Sequence, residues 1–520
     1  MTLSPITEFY SGRGVLVTGF TGFLGKVLVE KLLRSVPRLK TIYVLIRSIK
    51  GADAQQRLEK TIESDLFDLV RKPDAETGFA SLSKIVPING DITEPGLGLS
   101  HGDLEMLCDH VSVVFHCAAT VKFDEHMRLA VRINVQGTKT LLELCQKIKQ
   151  LDAFVHTSTA YCNCDRTHIV ERVYPSPIPW GKLIDSMKWM DDKILDQLTP
   201  YLIRSRPNSY TFTKAVAESM LVDDTEAHSR LPIVIVRPSI VTATWTEPKP
   251  GWIDNLNGAT GLIALGAKGL IRTLYGRLHE VRADLVPVDI VVNMLIVAGW
   301  HRGVGSNRVT PVIHCTSGRL NPLSWGDVTD RMLHNFTCKM PLADLYLVPG
   351  GKTTTWRLEY ELRLFFLHIL PAHALDWAFA CFGRRGRMVQ LYKKIMNVLG
   401  SLEYFYTNQW DFQSRMATLL DKQLTETDRK KYCIDVTKID WPTYMDDYHW
   451  GVRKYIFKED PSNLKLAKMV HFKRRLLSAA LNISLTYFLF WLISKTSKLR
   501  SNALNNSNAV TVGSAVSMNE

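Results

Sequence analysis

The sequence predicts an α/β protein: a doubly wound parallel sheet, a mainly helical region after it, and a C-terminal membrane anchor. Three observations lead there. Near the start, a short apolar strand breaks into glycines at 19, 22 and 25 and then into the helical pattern Lys26-Val-Leu-Val-Glu-Lys-Leu-Leu. Further on, apolar runs rich in branched residues alternate with helical patterns, the signature of a parallel sheet with helices on both faces. Finally, residues 476–493 carry no charge and have about the length needed to cross a bilayer.

The glycine turn comes first because the rest is arranged around it. Glycines at a strand-to-helix turn let the backbone approach a pyrophosphate, and the following helix N-terminus offers unpaired N–H groups and a positive dipole end. The turn predicts a Rossmann-type sheet that holds a dinucleotide through Thr18, Gly19, Thr21, Gly22, Phe23, Leu24 and Gly25. Its Gly-x-x-Gly-x-x-Gly spacing resembles the extended short-chain dehydrogenase/reductase superfamily.

Residues 41–47 read as a second, buried strand, and Arg47 ends it. An enzyme specific for NAD would place an acidic residue there, whereas an arginine can pair with a 2′-phosphate, so the expected cofactor is NADPH. Residues 50–80 are rich in charge and turn formers and read as helix plus surface loop. A third strand ends in Gly90, Asp91 and Ile92, and a fourth, residues 111–116, ends in Cys117, Ala118 and Ala119, where small side chains leave room for adenosine. A helix from Ala130 and a fifth strand, residues 153–157, follow. The strand at residues 233–237 leads into Pro238, Ser239, Ile240 and Val241, where the chain is expected to wrap the nicotinamide.

The fifth strand runs into Ser158, Thr159, Ala160 and Tyr161, and Tyr210 and Lys214 come well downstream. A tyrosine and a lysine four apart on a helix share a face, so the ammonium can sit near the phenol and lower its pKa. Tyr210 and Lys214 are therefore expected to act as an acid–base pair, with the hydroxyl of Thr159 or Ser158 bonding the substrate oxygen.

At 520 residues the chain is long enough for two or three domains. Its formal net charge of +13 favours anionic partners. No DNA- or RNA-reading module appears, which leaves phosphate-rich cofactors, coenzyme A and anionic lipid. The nine cysteines have no zinc-ligand spacing and read as reduced, small hydrophobes, as expected of a cytosolic protein. The N-terminus lacks the pattern of a secretory signal.

In order, the text Thr-Gly-x-x-Gly-x-x-Gly, a strand-end arginine, His-x-Ala-Ala, Ser-Thr-Ala-Tyr, Tyr-x-x-x-Lys and Arg-Pro-Ser-Ile-Val resembles the fatty acyl-CoA reductases. The likeness continues through residues 250–255, 286–293, 365–372, 402–408 and 439–444, covering roughly residues 14–455. It implies an NADPH-dependent, alcohol-forming reduction of long-chain acyl-CoA by two hydride transfers. It also implies a reductase domain over residues 1–350, a helical C-terminal domain over 351–465, and a peroxisomal or endoplasmic reticulum membrane for the anchor. A sterol dehydrogenase of the same superfamily would share the glycine turn and Tyr210–Lys214 but not the C-terminal text. A non-catalytic lipid-surface scaffold would not need Thr159, Tyr210 and Lys214 intact.

Two C-terminal stretches have their own physics. Residues 360–382 are mostly apolar but interrupted by Arg363, His368, Pro371 and Asp376, and predict a buried or amphipathic helix pair; a surface meeting lipid or the acyl chain is the other reading. Residues 476–493 are flanked by Lys473, Arg474 and Arg475 on one side and Lys495, Lys498 and Arg500 on the other, which suits a tail anchor or an interfacial helix on a lipid droplet. The small polar residues 494–520 are expected to be disordered.

Overall fold

The computed structural model describes residues 4–49, 51–71, 82–223, 230–305 and 309–516. Its centre is a parallel sheet of seven strands: β1 (Gly14–Thr18), β2 (Thr41–Ile46), β3 (Ile85–Asn89), β4 (Val111–His116), β5 (Ala153–Thr157), β6 (Ile233–Pro238) and β7 (Val312–Cys315). They lie in the order β7-β6-β5-β4-β1-β2-β3, all parallel. The order reverses between β1 and β4, so their C-terminal ends frame the crevice where doubly wound sheets bind ligands.

All five residues of β1 are buried, as a strand covered on both faces must be. One face is covered by α1 (Phe23–Ser35) and by α5 (Val288–Val304), an apolar helix buried almost all round. The other is covered by α3 (Gly137–Cys145) and α4 (Ser209–Leu221), whose Leu141, Phe212, Val216 and Met220 pack with Leu16 and Phe154 of the sheet. Between β2 and β3 lies α2 (Ala54–Ile62), closed at its start by a reciprocal capping box of Asp53 and Gln56. The expected loop at residues 72–81 lies outside the described residues.

The chain beyond residue 350 adds to the same apolar core. The strand Lys352–Thr354 pairs in parallel with Thr273–Tyr275, and Asp411–Phe412 pairs with His168–Ile169. The Tyr444 hydroxyl lies 2.7 Å from the Thr242 hydroxyl, and that of Tyr432 lies 3.0 Å from Thr7. The two sides of residue 350 thus pack against each other.

Two expectations change. Residues 357–381 form one helical run, α6 (Arg357–Cys381), in place of a buried or amphipathic pair. Pro371 lacks an N–H and crowds the carbonyl one turn back, and the chain absorbs this by widening into a π-helical turn at Phe365–Ile369. Among the described residues it is the one helix long and apolar enough to cross a membrane, by length and composition. His368 faces inward, edge-on to Tyr392 of α7 (Met388–Thr407) at 5.4 Å. The last helix, α8 (Leu464–Val516), runs unbroken beyond the apolar stretch, so residues 494–516 are helical where disorder was expected. It contains no proline and no glycine before Gly513, so nothing in the backbone stops it. Residues 517–520 lie outside the described residues.

Candidate active site

The glycine turn sits at the reversal point. Gly19 has φ +75°, and a β-carbon on it would come within 2.7 Å of the Ala118 backbone nitrogen. A β-carbon on Gly25 would lie 2.3 Å from the Gly19 carbonyl oxygen. Only glycine permits both approaches: the first presses the end of β1 against the loop after β4, and the second presses the start of α1 against the turn. Gly22 caps α1 with no side-chain hydrogen bond, and the first turn carries no acidic residue. Its N–H groups and dipole are thus left for an anion, a cradle that fits a dinucleotide pyrophosphate. Thr18 links the two strand ends: its Oγ1 lies 2.8 Å from His116 Nδ1 and accepts from Ala118 N at 3.2 Å. Thr21, Phe23 and Leu24 lie in the turn or at the start of α1, and Phe23 stacks on Trp252 with centroids 5.7 Å apart.

Arg47 follows β2 and is exposed, with its guanidinium 3.9 Å from Asp91. Sequence reasoning missed its companion. Arg57, on α2, donates to the Arg47 carbonyl and to Thr21 Oγ1 at 3.3 Å, bringing a second guanidinium against the glycine turn. Burial and the charge of Arg47 lower its pKa. Only α2's docking against the turn singles Arg57 out from other helical arginines. After β3, Asp91 accepts from the backbone and hydroxyl of Thr93, both at 2.9 Å, and Ile92 packs against Gly137. After β4, Cys117 bonds Thr157 through sulfur at 3.4 Å, burial pushes its thiol up to about 11, and Ala118 and Ala119 continue the loop.

Thr159, Tyr210 and Lys214 converge beyond the C-terminal end of β5. Thr159 is buried, caps a short turn at Ala160–Asn163, and hydrogen-bonds the Tyr210 phenol. Lys214 is buried on α4 and donates from Nζ to the Thr157 carbonyl at 2.7 Å. Ser158 is buried beside them, its Oγ without a hydrogen-bond partner among the described residues.

One electrostatic expectation reverses. Burial raises the Tyr210 pKa well above that of a free phenol, the Thr159 hydrogen bond only partly opposes this, and Lys214 is not among the causes. Burial also brings Lys214 down to about 8. Desolvation of each group outweighs their mutual influence. A phenol so placed is held protonated, as a proton donor requires.

The helix α4 is fastened twice. Asn134 accepts from Thr120 N at 2.9 Å and donates to Thr213 Oγ1 at 3.0 Å. One turn past Lys214, buried Glu218 accepts from Arg237 of β6 at 2.8 and 2.6 Å. Next to Arg237, Pro238 ends β6, Ser239 N–H donates to Cys315 O at 3.1 Å, and Ile240 and Val241 belong to a short strand paired with Leu285–Pro287.

The wall of the site comes partly from the C-terminal half. Phe123 stacks on the Tyr210 ring at 6.0 Å and meets Phe405 of α7 at 5.1 Å. Phe405 and Trp410 each lie 5.3 Å from Tyr161, and Tyr404 and Trp410 both donate to the Cys164 carbonyl, at 3.1 and 3.0 Å. Phe123 and Phe405 carried no local sequence signal.

The sheet order, the glycine cradle and the Thr159–Tyr210–Lys214 convergence define a nicotinamide-dependent oxidoreductase of the extended short-chain type. The family described as male sterility protein matches twice, its NAD-binding part over residues 17–295 and its Sterile part over residues 367–459. The chain belongs to the fatty acyl-CoA reductase family. It is 42% identical to fatty acyl-CoA reductase 1 of Homo sapiens over 463 residues, covering 89% of this chain and 88% of that protein. Fatty acyl-CoA reductase 2 of Bos taurus is 40% identical over 474 residues, covering 91% and 90%. In fold the chain is similar to the reductase domain of a nonribosomal peptide synthetase from Mycobacterium tuberculosis, with TM-score 0.55, 19% identity, and 85% and 92% of the two chains covered.

Proposed function

We propose that this chain reduces long-chain acyl-CoA to the primary alcohol and coenzyme A, with NADPH as reductant and residues 476–493 as its membrane anchor. What carries the reading is the convergence of Thr159, Tyr210 and Lys214 beside the glycine crevice in a chain that matches the reductase family over both halves. The C-terminal match favours it over a sterol dehydrogenase or a scaffold.

A bound nicotinamide supplies hydride to the carbonyl carbon. As charge gathers on the carbonyl oxygen, Thr159 donates a hydrogen bond and Tyr210 gives up its proton. The Lys214 ammonium, on the same face of α4 and fixed to the Thr157 carbonyl, is assigned a part in that proton transfer. The first reduction gives a hemithioacetal, which expels coenzyme A thiol and leaves an aldehyde. The aldehyde meets the same residues, and a second hydride with a second proton gives the alcohol. Apolar surface holds the chain between the steps, at about 0.8 kcal/mol per buried methylene. The reductase part is assigned to residues 1–350 and the helical part to 351–465. The catalytic body is assigned to the cytosolic side of a peroxisomal or endoplasmic reticulum membrane.

The test is stoichiometric. Two NADPH consumed per coenzyme A thiol released, with alcohol as the lipid product, is the expected result; a ratio near one with accumulating aldehyde overturns the two-step reading.

Arg47 and Arg57 are assigned to the 2′-phosphate of NADPH. Arg47→Asp loses a charge-assisted pairing and adds repulsion, so NADPH affinity should fall by about tenfold or more while NADH is affected much less. Equal losses in a titration with both cofactors would make the arginine structural.

Activity should also depend on pH through Lys214. The ammonium predominates below about 8, so turnover should fall as pH rises through that value. In Lys214→Arg the guanidinium stays charged, and the alkaline limb should disappear from whatever activity remains. A profile flat to pH 10 in the native protein would remove Lys214 from the proton-transfer step.

A further inference from the structure

We infer that the outer face of α6, with the basic turn after it, lies flat on an anionic phospholipid surface, as a second membrane contact beside the anchor. The inference deepens the membrane reading above and rests on a separate set of residues.

The amphipathicity of α6 is the reverse of an ordinary surface helix. Its inner stripe is narrow, with Tyr360, His368 and Ala372 buried against the body. Its outer side is apolar: Leu362, Phe366, Leu370 and Trp377 are exposed, Trp377 by 72%, and Phe382 just past its end is exposed by 83%. An exposed face of this kind, rich in aromatic residues, is costly in water and matches the bilayer interface.

Charge says what covers it. The turn that follows carries Arg384, Arg385 and Arg387, all exposed, and α7 continues with Lys393 and Lys394. None of these five forms an ion pair among the described residues. Aromatic residues bordered by unpaired cations suit a leaflet of anionic phospholipid, whereas a second copy of this face would bring like charges together.

The fold ties α6 to neighbouring segments at both ends. Before it, Lys352–Thr354 is paired to Thr273–Tyr275; after it, the Asp376 carboxylate accepts from Met388 N at 2.8 Å and Val389 N at 3.0 Å, which turns the chain back into α7. The anchor emerges close by. Arg474 on α8 donates to the Leu345 carbonyl, and Leu345 shortly precedes the strand leading into α6. Residue 476, where the apolar stretch begins, therefore leaves the body beside the segment that carries the exposed face.

Cys381 lies exposed on this face and Cys338 is exposed elsewhere, which supplies a probe and its control. The full chain is reconstituted into vesicles of phosphatidylcholine with or without phosphatidylserine, and the rate of labelling by a membrane-impermeant maleimide is read at each cysteine. Cys381 should label at least about tenfold more slowly with phosphatidylserine present, and Cys338 should not change. In the variant Arg384→Glu, Arg385→Glu, Arg387→Glu, Cys381 should regain its fast rate while the protein still floats with the vesicles. Flotation of that variant reports the anchor and labelling reports the face, so failure of one is distinguishable from failure of the other. Equal Cys381 rates in both vesicle types, protection in detergent that grows with protein concentration, or labelling only from the vesicle interior would each overturn the inference. The last two would assign the face to a second copy or to a membrane span.

Discussion

Tyr210→Phe should bind NADPH with near-native affinity and lose at least about 100-fold in turnover, the low end for general acid catalysis. The ring is retained, so its stacking on Phe123 at 6.0 Å survives and only the hydroxyl is lost. That hydroxyl, bonded to Thr159 and kept protonated by burial, is the proton donor assigned at the carbonyl. Cofactor titration by fluorescence and single-turnover reduction of acyl-CoA separate binding from chemistry. A near-native rate would mean that another group delivers the proton, and Ser158, buried with its hydroxyl unpartnered among the described residues, is the next to test.

The largest expected loss of stability is at Arg237. Its guanidinium and the Glu218 carboxylate are both essentially inaccessible to water and joined by two hydrogen bonds, and Cys162 donates to the same carboxylate at 3.4 Å. Arg237→Met leaves a buried carboxylate with no cation, at a cost of about 3–5 kcal/mol. The double variant with Glu218→Gln removes the charge as well and should recover much of that loss. Denaturant unfolding of all four proteins completes the cycle; additive effects would mean that the pair is not coupled. Because Glu218 lies one turn beyond Lys214, the single variant should also lose activity.

Whatever depends on neighbours in sequence was legible there. The first six strands and the glycine turn are local patterns, and the Tyr210–Lys214 spacing fixes a shared helix face without knowledge of the fold. The seventh strand was not foreseen, because Val312–Cys315 is only four residues long, follows a proline and contains a histidine. Arg57, Phe123 and Phe405 were missed for another reason: each gains its meaning from a partner distant in the chain. The pKa of Tyr210 was misjudged because the sequence supplies the neighbouring charge but not the burial, and burial prevails. In α6 the composition marks a mostly apolar run, yet which side of the helix faces solvent depends on where α7 packs.

Phe405 has an implication for how such chains can be taken apart. It lies in the C-terminal half, yet it reaches the Tyr210 ring through a single intervening phenylalanine, Phe123. Severing the chain at residue 350 would remove the ring that backs Phe123. Exchanging C-terminal halves between relatives would therefore exchange the ring behind Phe123 as well, and the packing around Tyr210 would change with it.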